Sequence, residues 1–146
     1  MTTIVATRDA MYSDSKVSID SLNLSYPTDK IFRCKDGSIA GAAGNGGDCS
    51  RFLEWAKDGF KGKEPTWKST GKDDDYVIGL VLRDDGIYIW MPGDPLEKIN
   101  ADFFAVGSGG KPARVAMLLG KTPEEAMALV FEVDPGSGGP LQKIEL

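Results

Sequence analysis

The chain has 146 residues, is 41% hydrophobic and 27% charged, and has a formal net charge of −5, which fits one folded domain spanning residues 1–146. It contains no histidine and two cysteines, which excludes histidine-dependent nucleophile pairs, histidine-ligated metals and four-thiolate zinc sites. The acidic balance argues against a nucleic-acid partner, and the apolar runs are too short to cross a membrane. Because the cysteines follow no disulfide spacing and no secretory signal is visible, a cytoplasmic location is predicted.

The first half of the chain predicts strands followed by one helix. Residues 3–7 are rich in β-branched side chains, and similar patterns predict strands at 11–19, 30–34 and 38–43. A helix is predicted over 48–60, with Asp48 as its N-cap and with Phe52 and Ala56 on its apolar face. The polar segment 61–75 contains glycines and a proline and predicts an exposed loop.

The second half predicts a hairpin, a strand, two helices and a final strand. The hairpin strands are expected at 76–83 and 86–91, and the next strand at 102–106. After a short helix at 111–119, Thr122 begins another, with Pro123 at its first position and Glu125 completing a capping box. Four apolar residues keep helical spacing along it: Ala126, Leu129, Val130 and Val133. With a last strand at 141–146, the order is typical of a mixed α and β chain with antiparallel hairpins.

Thr2 offers the one nucleophile design that fits a chain without histidine. Removal of Met1 would leave a residue with both a hydroxyl nucleophile and an amine, whose ordinary pKa of about 7.7–8.0 suits a general base. With Met1 attached, the Thr2 nitrogen is an amide and cannot accept the proton. The unprocessed chain is therefore expected to be inactive.

A series of short motifs resembles the proteasome β-subunit family, and especially its bacterial relative, the HslV peptidase. In chain order they are Thr2-Thr3-Ile4-Val5, Asp14, Lys30 before Ile31-Phe32, Ser38-Ile39-Ala40-Gly41-Ala42-Ala43-Gly44, Val106-Gly107-Ser108-Gly109-Gly110, and Asp134 with Ser137 and Gly138. The resemblance runs from Thr2 to about Ser50 and from Tyr76 nearly to the C-terminus. It implies an α+β, four-layer αββα sandwich of the N-terminal nucleophile hydrolase type. It also implies a threonine endopeptidase that cleaves unfolded polypeptides without a cofactor or metal.

The resemblance implies a catalytic role for each motif. The Thr2 hydroxyl would attack the peptide carbonyl and pass its proton to its own amine. Lys30, beside Asp14, would favour the deprotonated hydroxyl, and the Gly41 N–H would donate to the oxyanion. Three further residues would hold the amine and the lysine in place: Ser108, Asp134 and Ser137.

The resemblance also implies where the substrate lies. It would add as an extended strand between the segments near Ser18 and Gly44. Four residues are expected to line the pocket for the residue before the cut: Thr28, Phe32, Ile39 and Ala43.

The segment 61–75 departs from the family, which has a second long helix at this place. One helical layer of the sandwich is therefore expected to be reduced. Family members form rings, so we expect a homo-oligomer of six or seven subunits in one ring or two, with an ATP-driven unfoldase as partner. Because the missing helix takes part in these contacts, the ring order and the unfoldase stay open.

Two other functions stay open from the sequence. The reduced layer favours a proteolytically inactive subunit with a structural or assembly role, whereas the complete motif set favours the peptidase. The run Gly107-Ser108-Gly109-Gly110-Lys111 before a helix also resembles a phosphate cradle, although it lacks the Gly-Lys-Ser/Thr ending after four intervening residues.

Overall fold

Two antiparallel sheets form the centre of the fold, and helices cover their outer faces. The computed structural model describes residues 1–19, 22–23 and 26–146. The strands in these residues are β1 (Thr3–Thr7), β2 (Ala10–Ser13), β3 (Ser18–Ile19), β4 (Leu22–Asn23), β5 (Ile31–Arg33), β6 (Ile39–Gly44), β7 (Val77–Arg83), β8 (Gly86–Trp90), β9 (Glu97–Ile99), β10 (Phe103–Gly107) and β11 (Gln142–Glu145). The helices are α1 (Gly46–Lys57), α2 (Gly110–Leu118) and α3 (Pro123–Val133).

The two large sheets face each other across an apolar core. The first sheet has the strand order β10-β1-β2-β11, and α2 packs on its strands β10 and β1, with α3 beside α2. The second sheet has the order β5-β6-β7-β8-β9 and carries α1 on β6 and β7. Ile4, Leu80 and Ile87 are among the fully buried side chains between the sheets. This layering confirms the four-layer αββα arrangement predicted from the sequence.

Alternation along the strands decides which layer each side chain enters. Ile4 of β1 and both Ile39 and Ala43 of β6 face the opposite sheet. Val5 instead lies under α2 and α3, and Ala42 lies under α1. Neighbouring residues of one strand therefore serve different layers, and this limits which of them can share a pocket.

The segment 61–75 covers the α1 side of the second sheet without forming a helix, as predicted. It is anchored at Asp48, whose buried carboxylate accepts the N–H groups of Lys68 and Ser69 at 2.7–3.2 Å and Arg51 Nη2 at 2.6 Å. Burial alone would raise the pKa of Asp48, but these donors hold it well below its usual range. The expected reduction of one helical layer is confirmed, because that layer consists of α1 and an anchored loop.

The limits of α1 differ from the prediction at both ends. The N-cap is Asn45, whose side chain accepts the Asp48 N–H at 3.1 Å, so Asp48 lies inside the first turn rather than at the cap. The helix ends at Lys57, because Gly59 and Phe60 adopt left-handed backbone angles with φ of 81° and 60°. Because Asn45 caps the helix, the Asp48 carboxylate is available to bind the backbone of the segment 61–75.

Two further predictions need correction, and one strand is missing from the prediction. The strand expected at 11–19 is broken after β2, because the N–H groups of Ser15 and Lys16 both donate to the Gly138 carbonyl at 3.0 and 3.1 Å. Strand β9 was not predicted, since its charged Glu-Lys-Ile sequence lacks an apolar signal. Leu129 and Val133 share no buried face with their neighbours but are exposed on α3.

Within the described ranges, no helix has both the length and the apolar character needed to span a membrane.

Candidate active site

Thr2 lies half-buried at the start of β1, and its peptide bond to Thr3 is held from both sides. The Thr2 carbonyl accepts the N–H of Ser108 at 2.9 Å, and the N–H of Thr3 donates to Asp14 Oδ1 at 3.0 Å. Gly107 has a φ of 96°, and a side chain there would collide with the Thr2 carbonyl. The position of Thr2 is therefore fixed through its backbone, which leaves its side chain uncommitted to that task.

Asp14 and Lys30 form a largely buried ion pair next to this peptide. Lys30 Nζ lies 3.0 Å from both Asp14 carboxylate oxygens and donates to the Lys16 carbonyl at 2.7 Å. The Asp14 side chain is 0% exposed and that of Lys30 is 11% exposed. Lys30 Nζ also donates to the Met1 carbonyl at 3.0 Å. The ammonium thus lies at the peptide bond whose cleavage would free the Thr2 amine.

A second polar cluster lies where β10 meets α2 and α3 ends. Ser108 Oγ and Ser137 Oγ each lie 2.6 Å from Asp134 Oδ2, and the N–H of Gly136 donates to Asp134 Oδ1 at 3.1 Å. Burial alone would raise the pKa of Asp134, but these donors hold it below its usual range. The positive charge of the chain N-terminus acts in the same direction. Asp134 is therefore an ionised acceptor close to the N-terminus.

The start of α1 also lies near the N-terminus. Burial raises the pKa of the Cys49 thiol to about 12, and the positive charges of Lys30 and the N-terminus partly oppose this shift. The thiol is accordingly protonated and unreactive at neutral pH. The influence of both charges on Cys49 indicates that the first turn of α1 lies in the neighbourhood of Lys30 and the N-terminus.

Gly41 does not supply the expected oxyanion donor. The N–H of Asn45 donates to the Tyr76 carbonyl at 2.7 Å, and hydrogen-bonded pairs alternate along antiparallel strands. By this alternation Gly41 and Leu80 are a hydrogen-bonded pair of β6 and β7. The Gly41 N–H is therefore used inside the second sheet, and the assignment made from the sequence is wrong.

The same alternation identifies Gly44 as the open donor. Ala43 pairs with Ile78, so its carbonyl points toward β7 and the N–H of Gly44 points the other way across the trans peptide. Within the described residues, β5 does not extend far enough to pair with Gly44 on that side. Gly44 has a φ of 118°, and any side chain there would collide with the Tyr76 carbonyl. A glycine at the end of a strand, directly before a helix N-cap, was the signal that the sequence contained.

The residues expected to line a substrate pocket do not lie together. Ile39 and Ala43 are fully buried between the two sheets, whereas Phe32 lies on the opposite face of the second sheet, toward α1. Thr28 is exposed, and Ser18 is half-buried at the start of β3. The four-residue pocket is therefore wrong, because residues on opposite faces of one sheet cannot line one cavity. Ser18 stays a prediction.

The phosphate-cradle alternative is not supported by the backbone of 107–111. The N–H of Ser108 is bonded to the Thr2 carbonyl at 2.9 Å, and the N–H of Gly109 donates to Thr3 Oγ1 at 2.9 Å. These donors are occupied within the chain and do not face a ligand.

Across residues 1–19, 22–23 and 26–146, no three His, Cys, Asp or Glu side chains are grouped as a metal site requires.

Thr3 is the residue of this site that the sequence analysis overlooked. It is completely buried, and its hydroxyl bonds Gly109 N–H and Ser137 Oγ. The alternation of β1 contained the signal, because Thr3 shares a face with Val5, which lies under the helices. A hydroxyl on such a face needs partners of its own.

Comparison with known proteins bears on the fold. No protein-family model matches the chain, and no curated protein does. Among solved structures, HslV from Trypanosoma brucei aligns over 99% of this chain and 98% of that chain, with a TM-score of 0.72 and 18% identity. Thiobacillus denitrificans BPH aligns over 99% and 96%, with a TM-score of 0.67 and 16% identity. The same protein in complex with epoxomicin aligns over 99% and 97%, with a TM-score of 0.69 and 16% identity.

These alignments span nearly the whole of each chain. The protein therefore has the fold of HslV, a four-layer αββα sandwich, and the resemblance seen in the sequence is confirmed at the level of the fold.

Proposed function

We propose that this chain, once Met1 is removed, is a threonine peptidase of the proteasome and HslV type that cleaves unfolded polypeptides. The observation that carries the proposal is the largely buried Lys30 ammonium, held by Asp14 and placed 3.0 Å from the Met1 carbonyl. Removal of Met1 would take that carbonyl away and leave Lys30 facing the new N-terminal residue, Thr2. The HslV fold and the epoxomicin complex of a protein with the same fold support this reaction class.

The proposed reaction uses Thr2 twice. Its hydroxyl oxygen forms a bond to the substrate carbonyl carbon while the hydroxyl proton passes to the Thr2 amine. The amine then gives that proton to the leaving nitrogen as the peptide C–N bond breaks, which leaves an ester on Thr2. A water molecule, deprotonated by the same amine, hydrolyses the ester and restores the free threonine.

Fixed charges and dipoles would stabilise the charged states of this reaction. Lys30 favours the threonine alkoxide, and its own charge is balanced by Asp14. The open N–H of Gly44 replaces Gly41 as the proposed oxyanion donor, since it points to the side of β6 that no described strand covers. Because an extended peptide can bond the same open edge, the substrate would lie between Gly44 and the segment near Ser18.

The test of this proposal is intact mass after treatment with epoxomicin, an epoxyketone that needs an amine and a hydroxyl on one residue. A cleavable N-terminal fusion can be designed to leave either Met1 or Thr2 as the first residue. We expect one adduct per chain at Thr2 in the chain without Met1 and none in the chain that retains it. Thr2→Ser keeps both groups and should react, whereas Thr2→Ala should not.

An unreactive chain that begins at Thr2, measured beside a proteasome that does react, would contradict the peptidase proposal. That result would favour the inactive structural or assembly subunit. The fold itself would not be in question, because circular dichroism of each variant reports on it separately.

Self-association of the chain is the second part of the proposal, and the outer faces of α2 and α3 support it. The exposed apolar side chains there are Val115, Leu118, Leu119, Leu129 and Val133. The charged residues of α2 are basic, Lys111 and Arg114, whereas those of α3 are acidic, Glu124, Glu125 and Glu132. A second copy in twofold orientation would set the basic helix of one subunit against the acidic helix of the other.

We therefore expect a homo-oligomer, and we expect Leu118→Lys to shift it toward monomer in sedimentation velocity at micromolar concentration. Leu118 is 71% exposed, so the substitution leaves the core of the subunit unchanged. Met91→Lys is the matched control, since Met91 is exposed just after β8 and outside both helices. A parent chain that sediments as a monomer would contradict the assembly, and an equal shift in both variants would contradict this face.

Delivery of substrate concerns the ring that the family resemblance implies, in which the twofold contact would be one of the subunit contacts. A ring that encloses its active sites admits extended chains and excludes folded ones, so an ATP-driven unfoldase is the proposed partner. We place the activity in the cytoplasm, in keeping with the free thiols of Cys34 and Cys49.

A further inference from the structure

We infer that Thr3 is a positioning residue that sets the direction of the hydrogen bonds around the Thr2 amine. The inference rests on the proposed function, because it assigns a role within the same reaction. Its evidence is separate, however, since it comes from the buried contacts of Thr3 and not from those of Thr2.

Thr3 joins the two halves of the site, which are the ion pair of Asp14 with Lys30 and the polar cluster around Asp134. Through its backbone it bonds the first half, as its N–H donates to Asp14 Oδ1 at 3.0 Å and its carbonyl accepts the Asp14 N–H at 3.2 Å. Through its side chain it bonds the second half, as Oγ1 accepts the Gly109 N–H at 2.9 Å and lies 2.7 Å from Ser137 Oγ. Thr3 is 0% exposed, so water does not compete for these contacts.

Gly109, Thr3, Ser137 and Asp134 form a series of hydrogen bonds, and its proton positions follow from counting donors. The Asp134 carboxylate can only accept, so Ser108 and Ser137, each 2.6 Å from its Oδ2, must both donate to it. Ser137 has then used its one proton, and it can only accept from Thr3. Thr3 in turn donates to Ser137 and accepts from Gly109. Every hydroxyl of the series therefore points toward Asp134.

The direction of these hydrogen bonds determines whether Ser108 offers the N-terminal amine a donor or an acceptor. Ser108 lies next to Thr2, because its N–H donates to the Thr2 carbonyl at 2.9 Å. Its hydroxyl proton is directed to Asp134, so toward an amine at Thr2 its oxygen would offer only lone pairs, to which an amine N–H can donate. The lone pair of the amine then stays available for the Thr2 hydroxyl proton. Polarisation along the series from Gly109 through Thr3 and Ser137 also weakens the basicity of Asp134. A less basic Asp134 stabilises the ammonium form less, and this keeps the amine pKa low enough for a base.

The change that tests the inference is Thr3→Val, which keeps the shape of the side chain and removes the hydroxyl. We expect kcat to fall roughly 10-fold with KM little changed, since the loss affects alignment of the base rather than substrate binding. We also expect the Thr2 amine pKa to rise by about 0.5. The acid limb of the pH–rate profile should move to higher pH by the same amount, because the amine must be neutral to act.

The amine pKa can be measured directly by NMR on the chain that begins at Thr2, with ¹⁵N-labelled threonine, so this readout does not depend on peptide cleavage. Thr3→Ser restores the hydroxyl and should restore both kcat and the amine pKa. Thr7→Val is the matched control, because it removes a hydroxyl from the other end of β1, where its partners belong to the turn at Asp9 and Ala10.

Ser137→Ala is a second test of the inference, which is needed if the Thr3→Val chain does not fold. It interrupts the same series one hydroxyl later and should raise the amine pKa in the same direction. An unchanged amine pKa in whichever of these two variants folds overturns the inference, even if the parent enzyme is fully active. A parent chain that neither cleaves peptide nor reacts with epoxomicin overturns the proposed function instead, and the NMR titration still decides whether Thr3 controls the amine.

Discussion

Replacing Lys30 with methionine in the chain that begins at Thr2 is expected to lower peptide turnover roughly 1,000-fold, the size of effect seen when one preorganised electrostatic partner is removed. Methionine keeps the length of the side chain and removes its charge. Lys30 Nζ contacts both oxygens of Asp14 at 3.0 Å, so the substitution removes the only positive side chain that reaches this carboxylate among the described residues. Turnover of a fluorogenic peptide and the thermal midpoint are measured together.

The fold should survive this change, because Asp14 keeps other donors. Its carboxylate also accepts three backbone N–H groups, those of Thr3, Lys16 and Gly138. The double variant Lys30→Met with Asp14→Asn removes the buried charge altogether and should fold while staying inactive. Lys35→Met removes a lysine that pairs with Asp58 at the surface and should leave turnover unchanged. Normal turnover by folded Lys30→Met would remove Lys30 from the mechanism.

Replacing Asp48 with asparagine is expected to lower the free energy of unfolding by about 3 kcal/mol, because hydrogen bonds to a buried charged group are lost. Asp48 is 0% exposed and accepts two backbone N–H groups of the loop together with Arg51. An asparagine amide nitrogen would face one of these donors with a donor of its own. Urea denaturation of both chains measures the difference.

The pH dependence of stability provides a second readout for Asp48. Its pKa in the folded state lies below the usual range, so its contribution is fully present above the unfolded pKa of about 3.9 and is lost as the pH falls. Stability of the parent chain should therefore drop more steeply below about pH 4 than that of Asp48→Asn. Glu54→Gln, on the exposed face of the same helix, is the control and should follow the parent curve. Parallel curves for the parent chain and Asp48→Asn would contradict this account.

The resemblance of short motifs to the proteasome β-subunit family predicted the polar residues of the site better than the apolar ones. Asp14, Lys30 and Asp134 need partners wherever they are buried, and each one lies in a cluster near the N-terminus. A carboxylate or an ammonium allows few solutions in a dry environment, which is why short motifs around them were informative. Their catalytic roles stay predictions until the variants are measured.

The errors in the prediction came from directions that the sequence does not contain. Which way the N–H of Gly41 points depends on the register of β6 against β7, and that register is a long-range property. The separation of Phe32 from Ile39 depends on the same alternation. Asp48 has a suitable side chain for a helix cap, but the cap is Asn45, and the Asp48 carboxylate binds the loop through contacts that a local pattern does not show.

The two crowded glycines affect how a mutational scan of this protein would have to be interpreted. A side chain at Gly44 would collide with the Tyr76 carbonyl, and one at Gly107 with the Thr2 carbonyl. Both collisions occur whether or not the chain cleaves peptides, so selection for folding alone would remove nearly every substitution at these positions. Intolerance to substitution at these two glycines therefore reports on the backbone geometry, which any redesigned sequence would have to keep. Evidence for catalysis has to come from positions such as Thr2 and Lys30, where a substitution can be accommodated and only the activity is lost.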